Sequence, residues 1–61
     1  MLDQDTEEEV REVFEVWKSL HASLTRRFRA AVAFEEKTAI AAEMDRAERH
    51  IGYFRRLLAA A

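Results

Sequence analysis

The sequence predicts an all-α protein: an antiparallel helical hairpin that dimerises into a four-helix bundle. Three observations predict it. Among 61 residues there is one Gly and no Pro, and Ala, Glu, Arg and Leu dominate, so helix is the regular structure favoured throughout. No stretch alternates apolar and polar residues long enough to suggest a strand. Two series of apolar residues each keep helical spacing, yet they point in different directions.

The first helix is expected over residues 6–33. Thr6-Glu7-Glu8-Glu9 reads as a capping box, with the Thr6 hydroxyl accepting from the third helical amide and Glu9 reaching back. The acidic residues also suit the positive end of the helix dipole, and residues 1–5 are expected to fray. Val10, Val13, Phe14, Trp17, Leu20, Leu24, Phe28 and Ala31 then recur at i, i+3, i+4 and i+7, one stripe of an amphipathic helix.

A second series, Ile40, Met44, Ala47, Ile51, Phe54 and Leu58, predicts a helix over 38–60. At 100° per residue the two stripes would point roughly 150° apart on a single straight rod of about 80 Å. A break between them lets both face inward. The expected turn is 34–38, with Thr38 as the second N-cap, and so short a connection makes the helices antiparallel neighbours. With the turn centred near residue 35, Trp17 falls opposite Gly52, Phe28 opposite Ala41 and Ala42, and Glu12 and Glu15 near Arg55 and Arg56.

All of this makes one domain, residues 1–61, whose core is small. Eleven of its thirty apolar residues are Ala. A chain of about 60 residues buries only some 60% of its unfolded surface, and below about 70–80 residues a lone core rarely supplies more than ~3–5 kcal/mol. The absence of Cys excludes disulfides, Cys-ligated zinc and thiol catalysis. Association with a second chain is the remaining remedy, and the sequence carries surface for it. Val16 and Phe34 flank the first stripe on one side; Phe14, His21 and Val32 flank it on the other. On the second helix His50, Tyr53 and Leu57 form a row away from the Met44/Ile51/Leu58 face. A helix apolar on two faces belongs in a larger bundle.

Charge and motifs narrow the function. Net charge is −2, which is not the profile of a general nucleic-acid binder. The distribution is uneven: residues 1–15 hold seven acids and one base, and residues 16–34 hold Lys18, Arg26, Arg27 and Arg29 with no acid. His21 and His50 approach each other in the expected register. Each lacks the Glu three residues upstream that a di-iron bundle requires, so no metal is expected. Ser19, Ser23 and His21 come with no nucleophile elbow, oxyanion loop or glycine-rich phosphate cradle. No catalytic residue and no cofactor is therefore assigned. No apolar run reaches the ~18–20 residues that span a bilayer, and the acidic start does not resemble a secretory signal. Ile51–Leu58 carries too few cations to favour a membrane surface.

The expectation is a cytoplasmic, non-enzymatic protein–protein interaction module: a regulator, inhibitor or accessory subunit. Phe14, Trp17, Leu20, Leu24, Phe28, Met44, Ile51, Phe54 and Leu58 hold the assembly together in coiled-coil fashion. His50, Tyr53, Leu57, Arg26 and Arg29 form the surface offered to a partner, which is a second copy, a larger protein or both. The alternative is a small nucleic-acid-binding regulator that grips phosphates with Arg26, Arg27 and Arg29 on a dimeric hairpin.

Overall fold

A computed structural model describes residues 3–60. Two α-helices of 27 residues each, α1 (Gln4–Ala30) and α2 (Phe34–Ala60), account for nearly all of them. They pack side by side as an all-α hairpin with Cα extents of 45 × 14 × 12 Å, as expected for helices of about 40 Å each.

The ends of the helices depart from expectation for identifiable reasons. Helix α1 is capped by Asp3, not Thr6: Asp3 Oδ1 accepts the Thr6 amide at 2.8 Å and its carbonyl accepts the Glu7 amide at 2.9 Å. Asp and Thr are both good N-caps, and here the upstream one takes the role and leaves Thr6 inside the first turn. The Thr6 hydrogen bonds hold the Asp3 carboxyl below its ordinary value. Residues 1 and 2, part of the segment expected to fray, lie outside the described residues.

The break comes earlier than the expected 34–38. Helix α1 stops at Ala30, and Ala31 turns the chain into extended backbone (φ −71°, ψ 142°) while its amide still donates to the Arg27 and Phe28 carbonyls. Ala33 stands at the N-cap of α2, its carbonyl accepting the Lys37 amide at 3.0 Å. Thr38 is therefore a residue of the α2 interior, and its hydroxyl donates to the Phe34 carbonyl. Among the described residues no backbone φ is positive, so the link Ala31-Val32-Ala33 needs no glycine.

The core lies in the half of the hairpin nearest this link. Leu24, Ala31, Ile40 and Ala47 are buried, and Trp17, Phe28 and Met44 pack against them. Two of the four buried residues are alanines, which lets the helices approach closely but supplies little apolar area. Towards the open end, Val10, Phe14, Ile51, Phe54, Leu57 and Leu58 are only part-buried.

The earlier break also shifts the register. Trp17 faces His50, with ring centroids 4.2 Å apart and planes inclined by 16°, two residues short of Gly52. A Cβ built on Gly52 would meet only Arg56 Nη1, at 3.5 Å, so Gly52 makes no room for the indole. Phe28 has the Lys37 ammonium over its ring, while Ala41 and Ala42 are exposed. Glu15 pairs with Lys18 at 2.7 Å, and no ion pair joins Glu12 or Glu15 to Arg55 or Arg56 among the described residues.

Candidate functional site

The hairpin has two broad sides, and they differ in chemistry. One is polar. There His21 Nε2 lies 3.0 Å from Glu48 Oε1, and together with Lys18, Gly52 and Arg55 they line an open groove of about 390 Å³. A single hydrogen bond this open to water adds little to stability, so the groove is a solvated surface rather than a structural clasp. The two histidines do not pair. His21 engages Glu48 on this side, and His50 lies against Trp17. Among the described residues no group of three or more His, Asp or Glu is placed to hold a metal ion.

The other side is apolar along α1 and carries charge along α2. Trp17, Leu20 and Leu24 from α1 and Glu43 and Arg46 from α2 line a smaller groove of about 160 Å³ there, and His50 continues it over the Trp17 ring. On α1 the flank is formed by Val13, Val16 and Leu20, with Val13 and Leu20 each 42% exposed and Val16 66% exposed. On α2, Tyr53 is 54% exposed. It lies two turns from Arg46 and one from His50, so it belongs to the same side. Leu57, one turn further on, is part-buried. Helical phase joins these residues: Val13, Leu20 and Val16 sit about 20°, 40° and 80° round α1 from buried Leu24, all on one side of it. They border the intramolecular seam on the side where Tyr53 and His50 border it from α2.

Of the residues expected to hold the assembly together, Leu24 is fully inside. Trp17, Phe28 and Met44 pack part-buried against that core, Phe14, Ile51, Phe54 and Leu58 are part-buried, and Leu20, 42% exposed, lies at the rim. His50, Tyr53, Arg26, Arg27 and Arg29 are exposed. The three arginines project from α1 without forming an ion pair among the described residues. Spacing alone puts Val13 in the core stripe, whereas it is 42% exposed. Its recurrence with Val16 and Leu20 at i, i+3 and i+7 is the signal that marks a separate flank. At the tip of the hairpin Val32 and Phe34 are also well exposed.

No helix among the described residues is long and apolar enough to cross a membrane. No protein-family model matches the chain, and no curated protein or solved structure matches it significantly.

Proposed function

We propose that this protein is a small non-enzymatic protein–protein interaction module that self-associates through its apolar side into a four-helix bundle, acting from the cytoplasm as a regulator, inhibitor or accessory subunit. The observation that carries the reading is the Val13/Val16/Leu20 flank lying on the same side of the hairpin as His50 and Tyr53. Single exposed apolar residues are ordinary; a contiguous patch bordered by charge marks an association surface. The small core argues the same way. The chain exposes 4754 Å², against roughly 4,100 Å² for a compact monomer of its mass. Burying apolar surface against a second chain, at about 25 cal/mol per Å², makes good what the hairpin lacks.

Sedimentation equilibrium across micromolar to millimolar concentrations tests the reading. The expected result is a dimer, with a molecular mass of twice 7.1 kDa. A compact monomer throughout would remove self-association. The cluster of Arg26, Arg27 and Arg29, which forms no ion pair among the described residues, favours a second reading, in which the hairpin grips nucleic-acid phosphates. Retention on RNA or DNA that falls steeply with salt and is lost in Arg26→Glu would favour it, whereas retention unaffected by that substitution would not.

A further inference from the structure

We infer that the partner on the apolar side is a second copy laid antiparallel, α1 against α1, about a two-fold axis that crosses the helix near residue 18. The inference rests on the self-association proposed above and specifies its geometry.

The argument starts from spacing. Glu9, Val13, Val16, Leu20, Ser23 and Arg27 follow one another at intervals of four, three, four, three and four. That is the spacing of a coiled-coil seam, apolar at Val13, Val16 and Leu20, and it occupies an arc of about 80° on α1. None of the six contributes to the buried core, so the seam is left over once the hairpin has formed. Its middle is apolar, its Ser23 is small and its two ends carry opposite charges. Neither Glu9 nor Arg27 forms an ion pair among the described residues, whereas Glu7, Arg11, Glu15 and Lys18 all do.

Such a stripe complements itself in only one direction. Turned about a two-fold axis at residue 18, Val16 meets Leu20 of the partner subunit, Val13 meets the partner's Ser23, and Glu9 meets the partner's Arg27. Because a two-fold interface repeats every contact, both ends of the seam close with an acid facing a base. A parallel pairing would instead set Glu9 against Glu9 and Arg27 against Arg27. The axis also falls within a residue of the centre of α1 (Gln4–Ala30), so the two hairpins overlap along their full length.

The second helix follows the same axis. The Trp17–His50 stack places His50 at the level of the axis, so α2 crosses its counterpart near residue 50. Tyr53 of one copy then reaches Arg46 of the partner subunit, an aromatic face meeting a cation.

Two sets of variants test this geometry. In sedimentation, Val16→Glu should be monomeric, and because Val16 is 66% exposed and outside the buried core its helical circular dichroism should match that of the wild-type chain diluted to its monomer. Glu9→Arg and Arg27→Glu should each weaken the dimer several-fold at low salt, and the double reversal should restore it. Because the chain has no native cysteine, Val16→Cys and Leu20→Cys can be mixed and oxidised, and the disulfide between the two variants should exceed its statistical share. A wild-type dimer that survives Val16→Glu, or that gives mainly 16–16 and 20–20 disulfides, overturns this geometry and leaves self-association standing. A wild-type chain that stays monomeric overturns both, and a larger protein or a nucleic acid becomes the occupant of this side.

Discussion

Burial separates residues that the apolar pattern treats alike. Leu24 and Leu20 are one turn apart in the same stripe, yet Leu24 is 1% exposed and Leu20 is 42% exposed. Leu24→Ala should therefore cost about 2–5 kcal/mol, the range for a buried leucine whose cavity cannot collapse fully. In so small a domain that is enough to unfold much of the population, visible as a collapse of the urea midpoint. Trp17→Ala should cost less than the ~3–5 kcal/mol of a buried tryptophan, because the indole is open to solvent on one side and rests on an exposed His50. Gly52 inverts its sequence-based reading. With Arg56 Nη1 at 3.5 Å as the only neighbour of an added Cβ, a side chain there displaces nothing, and glycine in a helix interior is a liability. Gly52→Ala should stabilise the fold by about 0.5–1 kcal/mol. A lower melting temperature for that variant would mean the groove is tighter than its geometry.

The two helices differ at their N-termini. Helix α1 has a carboxylate cap and α2 has a methyl group, Ala33, where a side-chain acceptor belongs. Ala33→Asp should thus stabilise the hairpin by about 1 kcal/mol, helped by the dipole of α2 and measurable as a shift in the thermal midpoint. At the other cap the Asp3 carboxyl is held below its ordinary value by the Thr6 hydrogen bonds. A depressed folded-state value means that this stabilisation is present above the unfolded-state value and lost as pH falls through the folded one. The protection factor of the Thr6 amide, its exchange rate relative to an unstructured amide at the same pH, should fall over that acidic window, and Asp3→Asn, a cap that does not titrate, should flatten the dependence. These caps also explain where sequence reading fell short. The existence of two helices was legible, because the stripes ending at Ala31 and starting at Ile40 cannot share a phase. The corner was not, because Ala31 bends the chain with an ordinary negative φ and leaves no Gly or Pro as a marker, while Thr38 imitates a cap in the middle of a helix by bonding back to Phe34. Misplacing the corner by about three residues was enough to set Trp17 against Gly52 in place of His50.

At the scale of the whole molecule apolar burial is lopsided: the buried cluster spans Leu24 to Ala47, and among the described residues the open half has no fully buried one. A self-associating hairpin of this kind should melt at temperatures that rise with protein concentration, because folding and pairing bury surface together. A midpoint constant over a hundredfold range of concentration would contradict the assembly. The association surface was legible only in part. Tyr53 and His50 stood out as a second row, whereas Val13 and Leu20 were absorbed into a stripe wider than one neighbouring helix can cover. Periodicity fixes which residues share a flank but not where the neighbour's edge falls. The three-residue link carries one more implication. Ala31, Val32 and Ala33 impose no backbone constraint of their own, and two of them are among the residues most content to continue a helix. The reversal of direction is thus enforced by packing, the grip of Leu24, Ile40 and Ala47 on one another and on Ala31, and the elbow is a product of that grip and not its architect.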